Sequence, residues 1–309
     1  MPTVRHHYRS HSLDSDRWAT YRPRDGDVIV ASSYKSGTTW VQTIALRLVA
    51  PELDDPAVTE VSPWLESPVA PLDAVVDTLD RQGHRRVLKT HLPLDGLPHF
   101  PQVQYVVVCR DARDVFMSLW NHYRNLIRYP RLAAPSHPER VGPPLPRCPA
   151  DMRQFWRDWI TRGWFAWERE GFPFWSNLRH TRTWWEWRHL QNVRFVHYND
   201  LLRRPRDEIA GLAQYLNVDT APDDVARVAE RVTFRAMRER ADRLLPAGHA
   251  LFRGGPSTFF YKGVNGRWRD VLSVEDQTLY HEAARRELTD ECRRWLERGR
   301  ATEGDDASD

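Results

Sequence analysis

The chain has 309 residues, enough for one large α/β domain or two small ones and for a sizeable buried core. Its formal net charge is only +3, so overall charge does not indicate a nucleic-acid-binding protein. The three cysteines are far apart and lack metal-ligand spacing, which speaks against a disulfide framework and a structural zinc, and favours a reducing compartment. The polar N-terminus and the lack of a long apolar run predict a cytoplasmic protein without a membrane span.

Strands and helices are predicted to alternate along the chain. In chain order we predict a strand at 27–32, a helix at 39–49, strands at 86–89 and 104–109, a helix at about 111–127, a strand at 193–197 and a helix at about 200–215. The strand runs are short, apolar and rich in β-branched residues, as in parallel sheets that are covered on both faces. The sequence therefore predicts an α/β fold: one domain over residues 1–298, with a central parallel sheet flanked by helices.

Three segments interrupt this alternation. Residues 129–150 contain seven prolines, which predicts an irregular loop. Residues 151–190 form a tryptophan-rich insert that holds eight of the fourteen tryptophans. We expect it to be a helical region packed with large aromatic rings, and the same rings could wall an apolar acceptor pocket. Residues 299–309 are small and acidic, which predicts a disordered tail.

Lysine is rare in this chain, and its positions are informative. Only Lys35, Lys89 and Lys262 are lysines among 45 basic residues. Arginine can supply solvated charge and ion pairs, whereas a lysine provides a compact point charge. Each of the three is therefore a candidate for a site that needs an ammonium group.

Lys35 lies in a turn between a predicted strand and a predicted helix, which is the layout of a phosphate-binding loop. The sequence Lys-Ser-Gly-Thr-Thr offers backbone N–H groups, hydroxyls, an ammonium and a helix N-terminus to an anion. It is not a Walker A loop, because no glycine precedes the lysine in residues 28–36. A kinase that uses ATP and magnesium is one alternative, although Arg110 stands where a magnesium-binding carboxylate would be expected. A non-catalytic nucleotide-binding protein is another.

Five motifs, in order, resemble the cytosolic-type sulfotransferases that use 3′-phosphoadenosine 5′-phosphosulfate (PAPS). Residues 34–40 resemble the 5′-phosphosulfate loop, and residues 89–93 resemble the catalytic segment. The 3′-phosphate segment, the adenine-contacting strand end and the C-terminal glycine-rich loop are matched by residues 109–118, 195–200 and 260–268. Residues 61–64 and 89–97 further resemble actinobacterial aryl or glycolipid sulfotransferases.

The resemblance implies a reaction and three catalytic residues. PAPS would be the co-substrate, no metal would be needed, and the acceptor would be a hydroxyl of a small, phenolic or lipid-like molecule. His91 would be the general base, Lys35 would face the bridging oxygen, and Lys89 would face the sulfuryl oxygens. His91 follows Lys89 by two residues, so both side chains would lie on one face of an extended segment.

The resemblance also implies the co-substrate site. The 5′-phosphate loop comprises Lys35, Ser36, Gly37, Thr38 and Thr39. The adenine would contact Trp40, Tyr198, Thr233 and Phe234. The 3′-phosphate would contact Arg110 and Ser118, with Lys262 and Gly263 closing from the other side, and Tyr261 would belong to the same co-substrate site.

Two departures from the family pattern affect the C-terminal loop. Tyr261 precedes Lys262-Gly263 where the family commonly has arginine, so one cation is missing. Arg267 stands where the family usually has aspartate, and either Arg267 or Arg269 could replace the missing cation. The segment that follows, residues 269–274, matches the family's dimerisation segment poorly, and a homodimer remains one expectation.

Overall fold

Four parallel strands form the centre of the structure, a computed structural model that describes residues 1–127 and 141–300. They are β1 (Val28–Ser32), β2 (Val87–Thr90), β3 (Gln104–Cys109) and β4 (Val193–His197), in the order β2-β1-β3-β4. All three pairings are parallel. The predicted α/β class with a parallel sheet is confirmed, and each predicted strand lies within one residue of its observed bounds.

Helices surround the sheet and supply its connections. Short 3₁₀ helices lie at Ser15–Thr20, Leu94–Gly96, Pro256–Thr258 and Arg267–Asp270. The α-helices of the described residues are α1 (Thr38–Val49), α2 (Val58–Val61), α3 (Leu72–Arg81), α4 (Ala112–Asn125), α5 (Met152–Thr161), α6 (Asn177–Trp185), α7 (Tyr198–Arg203), α8 (Pro205–Tyr215), α9 (Pro222–Arg231), α10 (Phe234–Glu239), α11 (Ala241–Leu244), α12 (Gly248–Leu251), α13 (Val274–Glu287) and α14 (Asp290–Arg298).

Two apolar layers cover the faces of the sheet. Successive strand residues point to opposite faces, so Val28 and Val30 pack in the layer that contains α1, α8 and α9. Ile29 and Ala31 pack in the other layer, which contains α4, α5, α6 and α13. Because both faces are covered, every residue of β1 is buried. The strand ends are thereby fixed, and the loops that follow them are positioned by a rigid scaffold.

One predicted helix is divided in the structure. Instead of a single helix over 200–215, α7 ends at Arg203 and α8 begins at Pro205. Arg204 between them has φ −136° and ψ 60°. A residue that precedes proline is sterically disfavoured in the helical region, which accounts for the break.

The tryptophan-rich insert packs mainly into the core. Trp156 and Trp159 on α5 and Trp184 on α6 are each at most 1% exposed. The predicted helical region is therefore two helices joined by an irregular stretch. Of the predicted loop at 129–150, residues 141–150 contain no helix or strand and residues 129–140 lie outside the described residues. The predicted tail lies outside them from residue 301. Within the described ranges, no helix has the length and apolarity needed to cross a membrane.

Candidate functional site

The carboxyl ends of the four strands meet at one cavity of about 320 Å³. The turn after β1 contributes Lys35, and β2 is followed by His91. Likewise β3 is followed by Arg110, and β4 by Tyr198. In open α/β sheets, ligands bind outside the carboxyl ends of strands where the strand order reverses, here around the central β1. The topology therefore brings four sequence motifs, far apart in the chain, to one place.

The turn between β1 and α1 has the backbone geometry of an anion-binding loop. Lys35 has φ 67° and Gly37 has φ 111°, so the chain bends through the left-handed region twice before α1 begins at Thr38. A Cβ on Gly37 would lie 2.9 Å from Cδ2 of Tyr198, so a side chain there would be both strained and crowded. The N-terminal N–H groups of the twelve-residue α1 are available at this turn for a bound anion.

Two hydroxyls of this turn are bound to neighbouring serines. The Ser36 hydroxyl lies 2.7 Å from that of Ser33, and Ser36 does not line the cavity. The Thr38 hydroxyl lies 2.6 Å from that of Ser32, at the end of β1, and Thr38 does line the cavity. Ser36 therefore contributes to the shape of the turn through its side chain, and only its backbone remains for a ligand.

The Lys35 ammonium lies among aromatic and basic groups. Its Nζ is 3.7 Å from the centroid of the Phe259 ring and 3.4 Å from Nδ1 of His122. Burial lowers the pKa of Lys35 to about 7, and the nearby cations Arg110 and Lys89 act in the same direction. An anion bound in the cavity would reverse this effect, because it would stabilise the charged ammonium.

Lys89 lies near the end of β2, and His91 directly follows the strand. The Lys89 Nζ lies 5.1 Å from the centroid of the Trp64 ring, and burial lowers the pKa of Lys89 to about 8. Nδ1 of His91 lies 2.8 Å from the Ser32 carbonyl oxygen. A carbonyl can only accept, so Nδ1 carries the proton and Nε2 keeps a lone pair. Burial, and then the charge of Lys89, hold the pKa of His91 well below its usual 6.5, so the imidazole is neutral near pH 7.

A buried carboxylate, Glu66, fixes the backbone that carries His91. Its Oε1 accepts hydrogen bonds from the His91 N–H at 2.7 Å and from the Thr90 hydroxyl at 2.9 Å. Its Oε2 accepts from Nε1 of Trp18 at 2.9 Å. Glu66 is 0% exposed, and burial raises its pKa. Three donors surround it, so it orients the end of β2 without entering the cavity.

Arg110 is held by the C-terminal loop. Its Nε donates to Oδ1 of Asn265 at 2.9 Å, and its Nη2 donates to the same oxygen and, at 3.3 Å, to the Val264 carbonyl. Its guanidinium carbon lies 4.0 Å from the centroid of the Tyr198 ring. The side chain of Asn265 also donates to Asn199 on α7. The loop and Arg110 therefore reach the cavity as one hydrogen-bonded unit.

Aromatic rings border the side of the cavity that faces α7 and α10. Trp40 and Tyr198 meet edge to face with centroids 5.2 Å apart. On α10, Phe234 packs against Gly263, which has φ 67°, and a Cβ on that glycine would lie only 2.3 Å from Cδ2 of the ring. Thr233 caps α10, its hydroxyl accepting from the Ala236 N–H at 3.2 Å. Trp40, Tyr198 and Phe234 therefore give the cavity aromatic surfaces suited to packing against a flat heterocycle.

Apart from Ser36, the predicted site residues all line this cavity, and their assigned roles stay predictions. They are His91, Lys35, Lys89, Gly37, Thr38, Thr39, Trp40, Arg110, Ser118, Tyr198, Thr233, Phe234, Tyr261, Lys262 and Gly263.

The charges on the cavity wall are of one sign. Five basic residues line it, and its described lining contains no aspartate or glutamate: the basic residues are Lys35, Lys89, Arg110, Lys262 and Arg267. Asp111, the carboxylate that follows Arg110, pairs with Arg113 at 2.7 Å and caps α4. This donor set suits a polyanion and offers no carboxylate to a magnesium–nucleotide complex.

Sequence reasoning did not identify several residues of the site. Tyr34 and Trp64 line the cavity beside His91, and Phe259 lines it beside Lys35. His122 contacts Lys35 from α4. Tyr34 and Trp64 lie in segments that the sequence analysis singled out, residues 34–40 and 61–64, but neither side chain was given a role there. The others carry no local signal, because side chains of these types occur throughout the chain and are brought together by the fold.

Comparisons with known proteins agree on one family. The sulfotransferase domain model matches residues 25–291. A glycolipid sulfotransferase from Mycobacterium bovis (strain BCG / Pasteur 1173P2) is 33% identical over 310 residues, which cover 95% of this chain and 94% of the relative. Sulfotransferase 1A1 from Rattus norvegicus is 24% identical over 273 residues, covering 85% of each chain. The crystal structure of mouse sulfotransferase SULT7A1 complexed with PAP has a TM-score of 0.67 at 20% identity, covers 90% of each chain and shares the fold.

Proposed function

Because the chain belongs to the sulfotransferase domain family, we propose that His91, Lys35 and Lys89 carry out sulfuryl transfer from PAPS to a hydroxyl in the cavity. The family and the PAPS dependence predicted from the motifs are confirmed, and the enzyme is a PAPS-dependent sulfotransferase. One observation carries the proposal for the residues. A neutral, buried imidazole and two ammonium groups line the same cavity, whose described lining contains no carboxylate.

The residues of the cavity fit the co-substrate. When bound, PAPS supplies the sulfuryl group and a phosphate that serves as leaving group. The turn before α1 would hold the 5′-phosphate through its N–H groups, as the left-handed Gly37 allows. Trp40 and Phe234 would bracket the adenine, and Arg110 with Lys262 would bind the 3′-phosphate.

His91 is suited to accept the proton of the acceptor hydroxyl. Its Nδ1 is engaged with the Ser32 carbonyl, so Nε2 is the nitrogen with a lone pair. As the acceptor oxygen bonds to sulfur, its proton would pass to Nε2, and the bridging oxygen would leave with the nucleotide. The lowered pKa keeps His91 in its neutral form before the reaction. The Ser32 contact orients the ring, and Glu66 holds the His91 backbone N–H.

Lys35 and Lys89 would stabilise the charge that develops during transfer. Preorganised cations act most strongly where water is excluded, and both ammonium groups lie against aromatic rings. Lys35 belongs to the phosphate-binding turn, so it would face the bridging oxygen. Lys89 precedes His91 by two residues, so it would face the sulfuryl oxygens beside the base.

The rings near His91 favour an acceptor with an apolar or aromatic body. Tyr34 and Trp64 each lie edge to face with His91 at 5.0 Å between centroids, and Phe259 faces Lys35. Such rings bind aliphatic, phenolic and sugar surfaces through dispersion rather than charge. We propose a phenolic or lipid-like hydroxyl as acceptor, which the similarity to a mycobacterial glycolipid sulfotransferase supports.

A pair of histidine variants tests this assignment. His91→Ala should lower turnover with ³⁵S-labelled PAPS and a phenol such as 2-naphthol by roughly 100-fold or more, because general bases contribute about that much. Binding of 3′-phosphoadenosine 5′-phosphate (PAP), measured by calorimetry without magnesium, should be unchanged. His99→Ala is the control, because His99 bonds to Asn192 and does not line the cavity. A His91→Ala enzyme with near-normal turnover would contradict the role of base.

The same calorimetry separates the alternatives that the sequence left open. PAP binding without magnesium is expected of the cavity described above, whereas ATP binding that requires magnesium would favour a kinase. A protein that binds PAP but transfers no sulfuryl group to any acceptor in a panel of phenols, sterols and glycolipids would favour a non-catalytic binder.

Two predictions about the whole molecule rest on the sequence and the family. A cytoplasmic location is expected by analogy with cytosolic relatives, and localisation of the tagged protein tests it. A homodimer remains a prediction, and light scattering of the purified protein tests it directly.

A further inference from the structure

A second buried histidine lies behind Lys35. His122, in the last turn of α4, is 5% exposed and is separated from Lys35 by 87 positions in the sequence. Its Nδ1 lies 3.4 Å from Nζ of Lys35, and its Nε2 lies 3.2 Å from the hydroxyl oxygen of Tyr34. The imidazole therefore bridges the ammonium of the phosphate-binding turn and the residue that precedes it.

The chemistry of the three groups assigns the proton on this imidazole. Burial holds the pKa of His122 well below 6.5, and the charges of Lys35 and Lys89 act in the same direction. The ring is therefore neutral and has one N–H. An ammonium group can only donate, so Nδ1 must accept from Lys35 and Nε2 must carry the hydrogen. Nε2 then donates to the Tyr34 oxygen, a contact that is compatible with the tautomer that Lys35 requires.

The surroundings of Lys35 disfavour its charged form. Its ammonium is surrounded by the cations Arg110 and Lys89 and by the neutral rings of His91 and His122, and burial lowers its pKa to about 7. The Phe259 ring stabilises the cation from one side at 3.7 Å. Nδ1 of His122 is the acceptor that the structure gives it. A hydrogen bond accepted from a charged group favours the charged form.

We propose that His122 is a positioning residue for sulfuryl transfer: its Nδ1 holds the Lys35 ammonium charged and directed into the cavity, while its Nε2–H donates to the Tyr34 oxygen. This inference rests on the proposed function, in which Lys35 stabilises the bridging oxygen. The Tyr34 ring is stacked on Phe174 at 5.3 Å between centroids, so packing against the core fixes the position of the Tyr34 hydroxyl that contacts His122.

Three variants distinguish the role of the Nδ1 acceptor of His122 from the role of its aromatic ring. His122→Asn keeps an acceptor oxygen at the position of Nδ1, whereas His122→Phe keeps a ring and removes both nitrogens. Tyr34→Phe removes the oxygen that accepts from Nε2 and leaves the stacked ring. If the role is electrostatic, the asparagine variant should resemble the parent, the phenylalanine variant at 122 should be most affected, and Tyr34→Phe should be intermediate.

The scarcity of lysine allows a direct measurement that needs no acceptor. Protein labelled with ¹³C at lysine Cε gives three resonances, from Lys35, Lys89 and Lys262. The Lys35 signal, assigned with Lys35→Arg, should titrate near pH 7 in the parent. In His122→Phe its midpoint should fall by about one pH unit, the size of a lost charge-assisted contact, and in His122→Asn it should return towards the parent value. The Lys262 signal should be the same in every variant, because its ammonium lies by the Tyr261 ring instead.

Activity measurements complete the test. With PAPS and 2-naphthol, kcat of His122→Phe should fall roughly tenfold to 100-fold, and His122→Asn should recover most of the loss. PAP affinity measured at pH 6, where at least about half of Lys35 is protonated in both proteins, should change by less than about threefold, since PAP lacks the sulfuryl group. An unchanged Lys35 midpoint in His122→Phe would refute the proposal, as would equal losses in both His122 variants with equal falls in Tm. If the midpoint moves as expected but no variant or parent transfers sulfuryl, the proposed function fails and the Lys35–His122 contact stands.

Discussion

Arg267 is predicted to supply the cation that the C-terminal loop lacks at position 261. Its guanidinium carbon lies 4.6 Å from the centroid of the Tyr261 ring, and Arg267 lines the cavity. Arg269 instead packs over Trp268 at 4.6 Å and does not line it. The tyrosine that replaces the family's arginine thus provides a surface on which an arginine six positions later lies. Of the two arginines that the sequence left open, Arg267 is the one that lines the cavity, and we therefore predict that it supplies the cation.

The expected size of the effect follows from the surroundings of Arg267. Its Nε is buried and makes no hydrogen bond to any described residue, so it is a donor ready for an anion. Hydrogen bonds to charged groups contribute about 1.5–3 kcal/mol, and the side chain is half-buried, so the lower part of that range applies. Since about 1.4 kcal/mol is a tenfold change in Kd, Arg267→Ala should weaken PAP binding roughly 10- to 30-fold.

Calorimetry on a matched pair of variants checks this. PAP binding to Arg267→Ala should be weaker than to the parent, whereas PAP binding to Arg269→Ala should be the same within about twofold. Adenosine 5′-phosphate, which lacks the 3′-phosphate, should bind Arg267→Ala and the parent alike. An Arg267→Ala protein with parental PAP affinity, or one that loses affinity equally for both nucleotides, would refute the assignment to the 3′-phosphate.

Three further outcomes are expected. Lys35→Arg should lower kcat by roughly 100-fold although charge is kept, because a bulkier guanidinium cannot replace a point charge in a preorganised site. Steady-state kinetics measures this change, and a near-normal kcat would contradict it. Gly263→Ala should weaken PAP binding in calorimetry, since its Cβ would lie 2.3 Å from the Phe234 ring at φ 67°; unaltered binding would contradict the close packing. In a pH profile, kcat/KM for PAPS should fall as pH rises through about 7 and 8, where Lys35 and Lys89 lose their protons. On the acid side kcat/KM should fall only below pH 6.5, because the pKa of His91 is lowered.

The sheet and the motifs that follow its strands could be predicted because their signals are local. A strand that is buried on both faces is a short apolar run, and the polar residues after it must lie at the edge of the sheet. Residues 104–109 illustrate this, since the run is unambiguous and Arg110 follows it directly. The helix break at Arg204 was missed although Pro205 gave a signal for it, because the apolar spacing continues across the proline.

The residues that support the site could not be predicted in the same way. Glu66 is separated from His91 by 25 positions, and a glutamate is ordinarily exposed. Nothing near it in the sequence shows that three donors will surround it. His122 and Tyr34 likewise meet across 88 positions. Such contacts depend on the packing of α4 against the turn after β1, which only the folded chain specifies.

The tryptophan-rich insert contributes to the site by packing behind the residues that line the cavity. Its Trp175 ring lies 5.3 Å from Tyr34 and 5.9 Å from His91, yet Trp175 does not line the cavity. The insert therefore supports the rings that face the cavity instead of facing it itself. Rigid aromatic packing behind His91, the proposed general base, restricts the orientation of its ring. Trp175→Ala is therefore expected to lower kcat.

The three lysines connect the sequence to the site most directly. Lys35, Lys89 and Lys262 all line the same cavity, although the chain could have used arginine at each position. For Lys35 and Lys89 the structure supplies a reason, since their pKa values are lowered to about 7 and 8 by burial. An arginine at either position would remain charged at every accessible pH. A bound anion would raise the pKa of a lysine in this environment, so the protonation of Lys35 and Lys89 is expected to depend on whether the co-substrate is bound. Protons should therefore be taken up when PAP binds near pH 7.5, and calorimetry in buffers of different ionisation enthalpy would measure that uptake.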